Sequence, residues 1–295
     1  MNVAFTAINS HVILPIAHDC ARLEGDFWLL YMGNNEVIGP FGTGTVLGRQ
    51  APPLPLVRLT LALKATRVGQ LLDAAGQWLR PGAVAEQGWR GMSMFLDHRV
   101  RRDDPGLARV YRHFKHNLGQ ILDQARAAGA RVIVSTMVSR VRDWPPFASL
   151  HRPDLTATQR QTWEQHYEAA TTADAAGDLA EAIRHYEQAA QLDDSYAELL
   201  YRWGRACLAM GRTNEARRHL TSARDLDTLR FRTDSPSQRH HPRDRWHLPG
   251  RRAPRGRRAC LRGTQPRGPP RRGMALRARP LQLRRELPAR TALCR

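Results

Sequence analysis

Short apolar runs alternate with amphipathic stretches over the first half of the chain. Asn2 to Ile8 and Asp26 to Tyr31 are apolar runs that end in small or polar residues, as buried strands of a parallel sheet do. Between them, His11 to Leu23 reads as a crossover helix. A loop rich in Gly and Pro runs from Gly33 to Pro55, and helical periodicity then covers Val57 to Leu79. A further helix spans about Pro105 to Ala128 and Gly129 ends it. Arg131 to Thr136 follows as a third strand through Val132, Ile133 and Val134. Strands that alternate with helices in this order predict a doubly wound α/β sheet.

From Leu155 the pattern changes to continuous helix rich in Ala, Glu, Gln and Arg, and an internal repeat emerges. Gly177 and Gly211, Glu181 and Glu215, Ala182 and Ala216, Ala189 and Ala223, Leu192 and Leu226, and Asp193 and Asp227 are each separated by 34 residues. That is the tetratricopeptide period. The glycines permit the turn between paired helices, the alanines allow close approach, and Tyr186 supplies the large apolar contact that Leu220 replaces in the second copy. Two copies are fewer than the three or so that such arrays need to stand alone, so these helices are expected to lean on the α/β body.

Charge separates the chain into two unlike parts. Of 46 Lys and Arg against 27 Asp and Glu, the segment from Pro236 to Arg295 holds 18 Arg and only Asp244 and Glu286 as acids. It therefore carries +16 of the net +19, and residues 1 to 235 are nearly balanced at +3. With 9 of the 19 prolines and no periodicity, the tail reads as a disordered Arg/Pro-rich arm. Such an arm sticks to polyanions without specificity. Its single aromatic, Trp246, is too little for the base stacking that single-strand binders use.

The stretch Tyr31-Met32-Gly33-Asn34-Asn35-Glu36 follows the second strand, where open α/β sheets place their sites. Gly33 and Asn35 resemble the third signature block of the SGNH or GDSL serine hydrolases, with Glu36 in place of the usual acid. Asn2-x-Ala4-x-x-Ala7-x-x-Ser10 resembles the second block, with Ala7 where Gly is usual. The runs from Asn34 to Gly44, Trp144 to Leu155 and Ala223 to Asp234 look like an SGNH subfamily that carries tetratricopeptide repeats, over residues 1 to about 235. The resemblance implies an ester or acyl hydrolase in which Asn35 and the Ala7 backbone N–H stabilise the oxyanion. No Gly-Asp-Ser nucleophile block and no Asp-x-x-His block occurs, so nucleophile and general base are absent and the chain is expected to be inactive, truncated ahead of Asn2.

Regrouping the tail's codons sharpens this expectation. If each new codon takes the last two bases of one codon and the first of the next, Arg277 to Arg290 can be read as EHVHFNFGGNYLLA, which looks like the missing histidine block. A frame shift between Asp234 and Gln238 is inferred, with a basic arm as the alternative.

The resulting organisation is residues 1–154 as a partial α/β domain of incomplete flavodoxin-like type, 155–228 as helical repeats, 229–235 as a return to the α/β domain and 236–295 as tail. No cofactor or metal is expected: Cys20, Cys207, Cys260 and Cys294 show neither a disulfide framework nor zinc spacing. His98, His113 and His116 invite a metal hypothesis, because His113 and His116 share a helix face, but without a third and fourth ligand at defined geometry they read as surface histidines. The pairs Asp103-Asp104 and Asp193-Asp194 read as helix-start or turn acids. Without a signal peptide or an apolar run of about 20 residues, the chain is expected to be cytoplasmic. The alternative function is a protein or peptide partner on the paired helices from Trp163 to Asp225.

Overall fold

The computed structural model describes residues 2–240, except for positions 6, 47, 49 and 80–90. The regrouped tail segment, with His241, His247, Cys260 and Cys294, lies outside the described residues. Helix α1 (Ser10–Cys20), continued by a 3-10 turn, leads into strand β1 (Phe27–Tyr31). Helices α2 (Leu54–Ala65), α3 (Arg67–Leu79) and α4 (Pro105–Ala127) follow, then strand β2 (Arg131–Ser135). Four helices come next, α5 (Ala157–Ala176), α6 (Leu179–Leu192), α7 (Ala197–Ala209) and α8 (Thr213–Leu226), and a short α9 (Ser235–Arg239) ends the described chain. No described helix is long and apolar enough to cross a membrane.

Among the described residues the sheet has two parallel strands, in register from Phe27 opposite Arg131 to Tyr31 opposite Ser135. The expected doubly wound sheet is therefore reduced to one β-helix-β unit in a mostly helical protein. The described residues of Asn2 to Ile8 form no strand: the Ala4 N–H turns back onto Asn2 Oδ1 at 2.9 Å instead of reaching a neighbouring strand, and Ala7 has φ +61°. Trp28 and Leu30 face a core of Leu14 and Ala17 from α1 and Phe114, Leu118 and Ile121 from α4. The opposite face of β1 is open, with Phe27, Leu29 and Tyr31 all more than half exposed.

Two further expectations are corrected in detail. The single helix from Val57 to Leu79 is broken at Thr66, whose Oγ1 donates to the Leu63 carbonyl and accepts from the Gly69 N–H. A hydroxyl that satisfies both helix ends outweighs continued helical hydrogen bonding there. His113 and His116 do not share an environment, because His113 is buried against His11 while His116 points outward. Asp104 does cap a helix, accepting from the Gly106 N–H at 2.7 Å.

The four-helix segment repeats its geometry at the sequence period. After α5 the Asp178 N–H reaches the Ala173 carbonyl, and 34 residues on, after α7, the Arg212 N–H reaches the Cys207 carbonyl. Gly177 and Gly211 occupy the left-handed region at φ +83° and +76°. Ala182, Ala189, Ala216 and Ala223 are all essentially buried, and Tyr186 and Leu220 fill the equivalent gaps between helices. Small side chains set the interhelical distance and one large side chain per pair fills what remains.

After α8 the chain returns as a strap between two loops. The Thr228 N–H donates to the Ala148 carbonyl, and the Val100 N–H donates to the Thr228 carbonyl. Thr233 Oγ1 donates to Asn34 Oδ1 at 2.7 Å, and Leu229 packs with Ile38 and Phe95. The compositional boundary after Ser235 falls inside α9, whose first turn is capped by Asp234 accepting from the Ser237 N–H.

These positions make opposite predictions for two glycine-to-alanine changes. Gly211→Ala forces a Cβ into the left-handed region and is expected to lower stability by about 1 kcal/mol or more. Gly119→Ala, in mid-α4 with open space around its position, is expected to raise it by up to about 1 kcal/mol. Urea melts of the two variants check both signs.

Candidate functional site

Two regions bear on function, the end of β1 and the helical repeats. Beyond β1, Gly33 takes φ +138° and the chain turns into a compact loop whose Gly39 N–H donates to the Asn35 carbonyl at 2.8 Å. Asn35 Nδ2 donates to the Ile8 carbonyl at 3.1 Å, so its amide lies beside the residue that follows Ala7. One of its two N–H donors is thereby used, and Ala7 itself is exposed.

Glu36, next in the chain, points inward. Its Oε2 accepts from the Ser10 hydroxyl at 2.7 Å and its Oε1 from the Ser10 N–H at 2.8 Å. Asn117 Nδ2 from α4 donates to Ser10 Oγ at 2.9 Å and lies 3.1 Å from His11 Nδ1, while Arg58 donates to Asn117 Oδ1 at 2.8 Å. Burial pushes the Glu36 carboxyl up to about 7, against the hydrogen bonds from Ser10 that favour its charged form. Burial also pulls His11 down to about 4, helped by His113 and Arg58. Ser10 is completely buried, so its hydroxyl ties α1 to this loop and to α4 and has no path to a substrate.

In the repeats, one face is taken by the chain itself. The Tyr201 hydroxyl from α7 donates to the Arg142 carbonyl at 2.9 Å, and the Glu198 N–H donates to Ser149 Oγ at 2.9 Å. His151 lies 2.8 Å from Asp193 and its ring sits 4.5 Å from those of both Trp163 and Tyr196. Asp193 is thus a buried turn acid between α6 and α7. Burial opposes its charge, yet hydrogen bonds from Ser195, His151 and the Arg152 N–H hold its carboxyl below the usual range.

The other side of the helices is open. A groove of about 610 Å³ runs between α6 and α8. Glu187, Gln191 and Asp194 form one rim, all exposed, Trp203 and Leu200 of α7 form the floor, and Arg218, His219 and Ser222 form the far rim. The His219 ring stacks on Trp203 at 3.8 Å. A second cavity, of about 560 Å³, lies where the strap meets the loop 150–154, but its Arg101 and Arg152 already face Asp103 and Asp154 at 3.3 and 3.5 Å.

Residues 175–229 match the tetratricopeptide repeat family. The match covers 55 of the 295 residues, spanning α6, α7 and α8, and carries no information on the α/β part. Comparison with curated proteins and with solved structures gives no match, and the hydrolase resemblance gains no support from these comparisons. Within the tetratricopeptide repeats, Trp203 is the groove residue that periodicity does not single out, because Ala169 stands 34 residues before it. The acids on the α6 rim follow the ordinary polar face of an amphipathic helix, and they become a groove wall because α6 and α8 flank Leu200 and Trp203 of α7.

The Glu36 cluster gives a pH signature with two opposed legs. A folded-state value near 7, above the ordinary 4.5, means the folded chain holds an extra proton between those limits. Stability from Glu36 therefore falls as pH rises from about 4.5 to 7, by up to roughly 3 kcal/mol. His11 works the other way: with its folded value near 4 against 6.5, stability rises with pH between them. Glu36→Gln removes the first leg alone. The variant should gain on the parent chain steadily across that window, as read from urea melts at each pH, whereas a constant gap would refute the buried-proton account.

Proposed function

We propose that the chain is a protein-interaction module whose tetratricopeptide helices bind an extended, basic segment of a partner in the α6–α8 groove. The observation that supports this reading is the asymmetry of the helix pairs. One face is filled by residues 141–151 of the same chain, and the other presents an open aromatic floor beneath an acidic rim. Repeats of this type commonly engage protein segments. Charge agrees with it: residues 155–228 contain 12 acids and 8 arginines, a net of −4, within a chain otherwise rich in Arg. The rim carboxylates would meet Lys or Arg side chains while Trp203 and Leu200 take an aliphatic neighbour.

The test is selection of a random peptide library on the full chain. Enriched peptides should pair basic with aliphatic residues. Glu187→Lys combined with Asp194→Lys, both exposed and away from the core, should weaken the selected peptides by about tenfold and flatten their salt dependence. Peptides without a basic bias, or binding indifferent to both substitutions, would count against this groove.

A second reading is ancestry from an SGNH-type ester or acyl hydrolase, supported by the Gly33-x-Asn35 turn at the end of β1 and by Asn35 bonding beside Ala7. On this reading Asn35 and the Ala7 N–H are remnants of an oxyanion hole. With Ser10 sealed under Glu36 and Asn117, no nucleophile among the described residues is placed to serve them. The chain is expected to leave short-chain aryl esters intact and to resist labelling by a fluorophosphonate. Serine-dependent turnover would restore an active hydrolase.

A further inference from the structure

Cys207 of α7 and Glu215 and His219 of α8 come together at one end of the groove. Their ligand-type atoms, Sγ, a carboxylate oxygen and an imidazole nitrogen, all lie within 4.8 Å of one another. We propose that these three side chains bind a divalent zinc-type ion that pins α7 to α8. Sequence spacing alone does not suggest it, since Glu215 and His219 are one helical turn apart and Cys207 belongs to the preceding helix.

Geometry and chemistry point the same way. The i, i+4 spacing puts Glu215 and His219 side by side on α8, with His219 Nε2 3.9 Å from Glu215 Oε1. A tetrahedral zinc shell needs its donors roughly 3.3–3.7 Å apart, so a contraction of well under about 2 Å completes the set. Stacking on Trp203 holds the plane of the His219 ring, and packing holds the fully buried Cys207. A mixed set of sulfur, nitrogen and oxygen suits zinc and excludes calcium and magnesium, which take oxygen donors. On binding, the Cys207 thiol gives its proton to solvent and its sulfur forms the bond to the metal. Glu215 and His219 are themselves part of the groove lining, so the fourth position is left to water or to a donor from the groove side.

The proposal does not rest on peptide binding and is tested apart from it. The full chain, freed of metal with a chelator, is titrated with cobalt(II) alone and followed by absorption. One equivalent should give the near-ultraviolet thiolate-to-cobalt band and intense visible bands of a tetrahedral ion, and zinc should displace it and raise the melting temperature. Cys207→Ser should abolish the thiolate band. His219→Gln, at the groove surface and checked for folding by circular dichroism, should weaken binding by about tenfold or more. The triple change Cys20→Ser, Cys260→Ser, Cys294→Ser should leave the spectrum unaltered. Absence of a band in the parent chain, its persistence in Cys207→Ser, or its loss in the triple variant would overturn the assignment.

Discussion

The described structure depends on the buried carboxylate of Asp227. It accepts backbone N–H bonds from Phe147 at 3.0 Å, Ala148 at 3.2 Å and Leu229 at 3.1 Å, and it pairs with Arg232 at 2.8 Å. Burial raises its proton affinity, which the bonds from Phe147, Arg232 and Ala148 counter in part. Arg232 in turn donates to the Trp144 carbonyl, and Arg230 donates to the Val100 carbonyl and pairs with Asp234. The end of the repeats is thereby fixed to two separate stretches, residues 144–148 and Val100. Loss of one partner from such a buried pair leaves a charge without water and costs about 3–5 kcal/mol, so the strap holds as a unit or fails as one.

That fixation explains how two helix pairs can suffice where longer arrays are usual. A repeat needs something to cover its exposed apolar flank. Here the segment from Val141 to His151 supplies part of the cover, with Val141 against the helical core and His151 between Trp163 and Tyr196. The same arrangement decides which surface is free. Where the chain covers itself, no partner can enter, and among the described residues the α6–α8 groove stays open.

The α/β part shows the opposite balance. Its core between β1, α1 and α4 is small, and its most elaborate interior feature is polar: Glu36, Ser10, Asn117 and His11 under Arg58. The bonds that join Glu36, Ser10, Asn117 and His11 favour one arrangement of α1, the loop after β1 and α4 over alternatives. The cluster also stores a proton-dependent cost, because Glu36 has no cation in contact to stabilise its charge.

The helical repeats were legible in the sequence because their physics is local and periodic. Glycine at the turn, alanine at the contact and Tyr186 in the gap recur at one spacing, and the structure uses each in the role its size dictates. Strands β1 and β2 and helices α1 and α4 were legible for the same reason, as unbroken apolar or amphipathic runs. What tertiary structure alone decided was pairing between distant residues. The described residues of Asn2 to Ile8 have a strand's composition but form no ladder, and the expected surface position of His113 became interior against His11. Cys207, Glu215 and His219 converge because two helices pack at an angle that no spacing encodes. Periodicity reports which face of an element is apolar; the partner that face or side chain meets is set by packing across the whole chain.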